Sequence, residues 1–319
     1  MTTSIRLFDT DQPNGFDNLQ VDVRRLYETH PLTQKDASRG LWTDRVYSLH
    51  AAPYLPLSAR RAAWNVLRRT GMDISWFDRF RRYWGRTLGG RPMWGVEDFY
   101  FLRNIYRLQF QRSREVPADA DATSHLEVWQ QPAVLSHLFH SVYKEKLFHQ
   151  LDTLRLLRHA RRPVRRLIEF GCGAAPVCTS LFEFHRPKNM TVYLADIETV
   201  SFHYAAWKFA EFPNVQPIPL LPQNDFRLTL DQPVDAICCL AVFEHLNAPI
   251  ETIKTFHRLL ARGGVLVFDY IKSDAQGLDT TQGLSQRKEV MQYVREHFEV
   301  VHGRLDEEES IGLTAAIVK

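Results

Sequence analysis

The run RRLIEFGCGAAP at 165–176 constrains this chain more than any other stretch. An apolar segment, Arg166–Phe170, passes at once into Gly171-Cys172-Gly173, and a helical pattern opens at about Ala175. Strand, tight turn and helix in that order form the opening unit of an α/β sheet. Glycine at 171 and 173 lets the backbone turn sharply and approach a ligand with no Cβ in the way. Glu169 puts a carboxylate at the strand's end, where a ligand hydroxyl or ammonium could bind. A dinucleotide-binding turn wants G-x-G-x-x-G, with a pyrophosphate on the helix N-terminus. Here the sixth position is Pro176, so that fingerprint is broken and a nicotinamide oxidoreductase is set aside.

The order continues downstream. Short apolar runs at Thr191–Asp196, Val215–Leu220, Val234–Leu240 and Val265–Tyr270 read as further strands. Helical patterns fall between them at about 175–185, 199–212 and 249–262. Pro249 suits a first helical turn, and the Gly263–Gly264 pair suits a helix exit. After a last helix at about 284–296, Phe298–Gly303 and Thr314–Val318 read as an antiparallel pair. The expectation is a doubly wound, mostly parallel, seven-stranded Rossmann-like sheet over residues 156–319.

Residues 1–155 read as a separate, mainly helical lid or substrate domain. Helical spacing recurs at 62–70, 76–84, 96–111 and 131–159, with Pro31, Pro53, Pro56, Pro92 and Pro117 as punctuation. The run REVPADADATS at 114–124 reads as an exposed loop. Aromatic residues, 12% of the whole, are dense before residue 110 and can build a core and a closed lid. They could also surround a cation through their ring faces.

Charge and cysteine usage narrow the function classes. Net charge is only +3, yet residues 60–91 carry arginine at 60, 61, 68, 69, 79, 81, 82, 86 and 91. A local basic surface is expected there. No RNA-binding motif or lysine-rich tail accompanies it, so nucleic acid is set aside as a partner. No run approaches the roughly 20 apolar residues of a membrane span, and the first residues have no apolar signal core. The four cysteines (172, 178, 238, 239) lack metal spacing, so no metal site is expected. A reducing cytoplasm is the expected location. Nothing in the sequence supports a homodimer.

The Glu169–Gly173 run, E-x-G-x-G, resembles motif I of class I S-adenosylmethionine (SAM)-dependent methyltransferases. Four further elements follow in the family's order across residues 165–319. TVYLADIE ends a second strand, LLPQNDF follows a third, VDAICCLAVFEHLNAP spans a fourth and its exit, and GGVLVFDY matches a fifth. The resemblance implies SAM as cofactor, with Glu169, Gly171, Cys172 and Gly173 lining its amino-acid arm. It implies Asp196 on both ribose hydroxyls, with Glu198 as a weaker candidate. Asn224 or Asp225 would face the adenine, and the Leu240 backbone would line the methyl-transfer site. The implied activity is methyl transfer to a small molecule, a biosynthetic intermediate or a sugar, bound between the two domains.

Candidate chemistry falls on three side chains. His245, in FEHL after the fourth strand, sits where ligands bind in open α/β sheets and is the candidate base. The alternative is that Glu244 and His245 cap or tie down the next loop. Tyr270, beside Asp269 at the end of the fifth strand, could line the acceptor pocket. Tyr143, with His140 and Lys144 on the helix before the sheet, could roof the cofactor, and the 277–287 loop could touch the acceptor. Two other readings stay open. One is a SAM-consuming lyase or cyclase of the azetidine-2-carboxylate synthase type, which cuts the aminobutyl arm and releases methylthioadenosine. The other is a non-catalytic SAM-binding or partner module.

Overall fold

The computed structural model describes residues 75–88, 95–112, 135–147 and 150–319, without 186, 222–223 and 273–278, plus isolated positions 56, 58, 59, 62, 66, 93 and 129. Apart from positions 62 and 66, the expected helix at 62–70 lies outside these residues, as do the loop at 114–124, Trp42, Trp64, Trp94 and Arg60, Arg61, Arg68, Arg69 and Arg91.

The helical region contains α1 (Ser75–Arg82), running into a π-helical turn (Tyr83–Thr87), α2 (Val96–Arg112) and α3 (Leu135–Leu147). The pattern expected at 131–159 breaks at Gln150, whose backbone leaves the helical region before α4 (Leu151–Leu156). The sheet region then runs β1 (Arg166–Phe170), α5 (Pro176–Phe184), β2 (Thr191–Ile197), α6 (Val200–Lys208), β3 (Val215–Leu220) and β4 (Val234–Cys239). It ends with α7 (Pro249–Leu259), β5 (Leu260–Tyr270), α8 (Thr281–Ser285), α9 (Arg287–His297), β6 (Phe298–His302) and β7 (Ile311–Val318).

The seven strands lie in the order β3-β2-β1-β4-β5-β7-β6. β1 to β5 pair in parallel, and β7 enters antiparallel between β5 and β6. The expected α/β class is met, with a mixed sheet. Every residue of β4 is buried, which explains an apolar run interrupted only by Asp235 in place of alternation. Cys238 and Cys239 lie on it as buried free thiols. One expectation is corrected at Gly263–Gly264. The helix ends at Leu259, and the pair lies inside β5, where the register with β4 shifts and Gly263 takes φ +75°. The glycines make a bulge, not a helix exit.

Two apolar cores flank the sheet, and a third joins the helical region to it. That third core packs Trp76, Phe80, Trp84, Phe99 and Phe139 against Val200 and Tyr204 of α6. Among the described residues, Trp76, Phe77, Phe80, Tyr83, Trp84 and Phe99 are therefore core, as their helical spacing predicts. Edge-to-face pairs such as Phe80–Phe99, 5.4 Å apart at 88°, add to the stability that burial supplies. Two of the arginines expected on a basic surface pair with carboxylates instead. Arg79 meets Glu145 and Glu183, and Arg81 meets Asp78. Among the described residues, no helix is long and apolar enough to cross a membrane, and no acidic, histidine or cysteine cluster could hold a metal.

Candidate functional site

Backbone strain marks one edge of the sheet. The four described non-glycine residues with positive φ are Ala175 (56°), Asp225 (50°), Phe226 (54°) and Ala241 (53°). All follow the carboxyl ends of β1, β3 and β4. Gly171 (60°) and Gly173 (49°) join them there. An alanine in this conformation costs roughly 1–2 kcal/mol, and such strain persists only where the surroundings impose it. Loops at this edge are held in shapes that local propensity does not favour.

The two glycines of the turn differ in purpose. A Cβ on Gly171 would lie 2.2 Å from Val242 Cγ2, so a side chain there strikes the loop behind β4 before it fills any ligand space. A Cβ on Gly173 would meet nothing within 4 Å. Gly173 is thus the position that presents bare backbone to open space. Cys172 turns its side chain into the core and offers only its backbone.

Two carboxylates organise the same turn. Glu169 is buried, and its two oxygens accept the Val177 and Cys178 amides at the start of α5, at 2.9 and 2.8 Å. Burial still raises its pKa to about 7, against those two hydrogen bonds. Its place is behind the turn, holding the helix start. Asp196 accepts the Gly173 amide at 2.6 Å through Oδ2 and the Ile197 amide at 2.7 Å through Oδ1. Burial raises its pKa to about 6. Each carboxylate oxygen has two lone pairs, so Asp196 keeps acceptor capacity beside the bare backbone of Gly173. Asn224 and Asp225 sit exposed in the turn after β3, with Leu240 half-buried at the exit of β4.

Behind β4 and β5 the expected chemistry is rearranged. His245 lies in a single helical turn (Phe243–His245), with Nδ1 3.6 Å from Asp279 and Nε2 3.9 Å from Glu244. Trp129 of the helical region meets its ring edge-on at 5.9 Å. Glu244 is buried, and burial raises its pKa to about 8. Asp269 accepts the strained Ala241 amide at 2.6 Å, and burial lifts its pKa to about 6 while Lys144 of α3 pulls it down.

Tyr270 corrects an expectation. It is fully buried, stacked on Phe243 at 5.3 Å with Arg287 on its ring, and its hydroxyl donates to the Gly283 carbonyl. Its period-2 position on β5 turns it under α8, where ring and hydroxyl are both enclosed by protein. Tyr143 packs against α2, with Tyr100 edge-on and the Arg103 guanidinium 4.3 Å from its ring centre. Partial burial, then Lys144 and Arg103, push His140 down to about pKa 4. Of the three expected roof residues, Lys144 is the one whose charge reaches the end of β5.

Trp129, Asp279 and Lys208 were not singled out from the sequence. For Lys208 a signal existed, since it is the one charge in the apolar run FHYAAWKFA. For Asp279 the signal is its place in the 277–287 loop, and for Trp129 there is none, because chain distance hides its approach to His245.

A methyltransferase domain family model matches residues 143–304, just over half the chain. The chain is similar to the N-methyltransferase NodS from Bradyrhizobium japonicum WM9, bound to S-adenosyl-L-homocysteine, at 16% identity and TM-score 0.39, covering 53% of this chain and 86% of that one. The N-terminal domain of EvdMO1, with the same ligand bound, gives 16% and 0.39, covering 54% and 83%. SAM-bound CalS10, an amino pentose methyltransferase from Micromonospora echinaspora, gives 21% and 0.34, covering 41% and 55%. No curated protein matches significantly. By the span of the family match, the chain belongs to the methyltransferase domain family and is a SAM-dependent methyltransferase.

Proposed function

We propose that this methyltransferase acts on a small-molecule acceptor, a biosynthetic intermediate or a sugar, held between the helical region that ends near residue 155 and the carboxyl edge of the sheet. The observation that carries the reading is the approach of that region to the edge. Trp129 meets His245, and the charge of Lys144 acts on Asp269. An acceptor there would be walled by groups from both regions and screened from bulk water.

The residues at the edge suit SAM. Gly173 offers backbone with open space, and the Gly171 and Cys172 backbones continue that surface. Asp196 has spare acceptor capacity for the ribose hydroxyls. The exposed Asn224–Asp225 turn is the candidate adenine contact, and the Leu240 backbone borders the methyl-transfer position. Glu169 serves from behind, because it is buried with its oxygens turned to the α5 amides, whereas Asp196 is half-buried.

When bound, SAM supplies a methyl carbon already activated by its sulfonium. The chain's residues then have to align the acceptor, exclude water and, for a hydroxyl acceptor, take its proton. His245 is the candidate base, with Asp279 beside Nδ1 to orient the ring and Trp129 against its edge. Tyr143 contributes as a support for the roof, through its packing on α2. The test is mass spectrometry of the purified protein incubated with SAM, with and without metabolite extract of under 1 kDa. S-adenosylhomocysteine formed only with extract is the expected result. Methylthioadenosine formed without extract overturns it in favour of aminobutyl-arm cleavage, and SAM bound without turnover favours a sensing module.

A further inference from the structure

The glycine turn is anchored from a direction that the family match does not explain. Ala175, the last residue before α5, is held at φ 56°, ψ 60°, in a conformation that alanine disfavours. Lys208, at the end of α6, points its ammonium at this strained stretch. Nζ donates to the Ala174 carbonyl at 2.7 Å, to Thr179 Oγ1 at 2.7 Å and to Glu145 Oε1 at 2.6 Å. Lysine has three donor positions, and all three are used. Both side chains of the ion pair are buried, with 4% and 6% of their surface exposed. Thr179 Oγ1 in turn donates to the Ala175 carbonyl at 2.6 Å, so the lysine braces the turn twice.

Glu145 belongs to α3, the helix that carries Tyr143 and Lys144 over the acceptor side. One ammonium therefore joins the donor turn to the roof helix. A buried ion pair gains little over an apolar packing contact in stability, so its worth lies in fixing geometry. We propose that Lys208 is a positioning residue that couples donor binding to the roof helix: through Glu145, the seating of α3 sets how well the Gly173–Ala175 turn is shaped for SAM. This rests on the reading of that turn as the SAM site.

The experiment measures the dissociation constant of S-adenosylhomocysteine by calorimetry, with melting temperature recorded beside it, for the full chain and three variants. Lys208→Met should weaken binding by about tenfold to a hundredfold, the range for losing hydrogen bonds to a charged group. Glu145→Gln, isosteric with the native residue and bonded to Lys208 and Arg79 but not to the turn itself, should weaken it in the same direction by about threefold to tenfold. In the double variant the losses should not add, because both remove one coupling. Lower melting temperatures with unchanged dissociation constants in the folded variants make Lys208 a structural anchor only and overturn the proposal. If Lys208→Met does not fold, an unchanged constant for Glu145→Gln overturns it alone. Wild-type protein that fails to bind sinks the site assignment itself, a different result from unchanged variants.

Discussion

The two ends of the sheet treat their polar groups in opposite ways. At the amino end, Asp235 on β4 accepts the Arg165 and Arg166 amides at 2.8 and 2.9 Å and pairs with Arg162 at 2.7 Å. The Arg161 amide donates to the Gly263 carbonyl at 2.8 Å, closing the entry to β1 against the β5 bulge. Every interaction there ties the entry of β1 to β4 or β5. At the carboxyl end the backbone is strained at Ala175, Asp225, Phe226 and Ala241, and Gly173 faces open space. Glu169, Asp196, Glu244 and Asp269 there all have carboxyls pushed up by burial. One end holds the fold together; the other stores the strain and charge that a ligand site needs.

Substitutions at the two ends should therefore separate stability from binding. Asp235→Ala removes a buried carboxylate from three donors and should cost about 3–5 kcal/mol, lowering the melting temperature by roughly 6–20 °C. S-adenosylhomocysteine affinity of the remaining folded protein should be unchanged. A matching loss of affinity would break the division between the ends.

Glu244→Gln tests the proton held at the carboxyl end. A carboxyl raised to about 8 keeps its proton in the folded state while the unfolded chain releases it near its usual value. Stability then falls as pH rises from about 4.5 to 8, since the unfolded state binds fewer protons in that window. The glutamine variant, neutral throughout, should show a flatter fall in melting temperature over that range. Glu183 and Glu169, raised to about 8 and 7, would supply the remaining slope. Identical slopes in the two proteins would mean that Glu244 is not held protonated.

Asp196→Ala should weaken S-adenosylhomocysteine binding by about 1–3 kcal/mol, or roughly fivefold to 150-fold. An unchanged constant would show that the ribose contact lies elsewhere. The smallest effect is expected at Tyr270→Phe, which removes one buried hydroxyl hydrogen bond for about 0.5–1.5 kcal/mol of stability. Turnover should stay within about twofold, because the hydroxyl is engaged by Gly283. A hundredfold loss of turnover would return Tyr270 to the catalytic site and blur the contrast.

Strand and turn periodicities, the broken dinucleotide fingerprint and the Glu169–Gly173 run were legible without coordinates. They depend on neighbours within a few residues: a period of two in strands, a period of 3.6 in helices, glycine where φ turns positive. The five parallel strands and the closing hairpin followed from them. The insertion of β7 between β5 and β6 did not, because strand order is decided by pairings across long chain distances. The bulge at Gly263 has the same origin: only alignment with Asp235 and Arg161 tells a helix exit from a strand irregularity.

The acceptor side was read least well for the same reason. Tyr270 and His245 are both titratable residues near strand ends, and sequence alone treats them alike. Packing separates them, sealing Tyr270 beneath α8 while leaving His245 between Asp279 and Trp129. Local sequence determined where a ligand's backbone cradle would form, since that is a property of consecutive φ angles. Which side chains surround the cradle, and that Lys208 braces it, only the tertiary structure decided, because burial and charge pairing are properties of residues that meet from opposite halves of the chain.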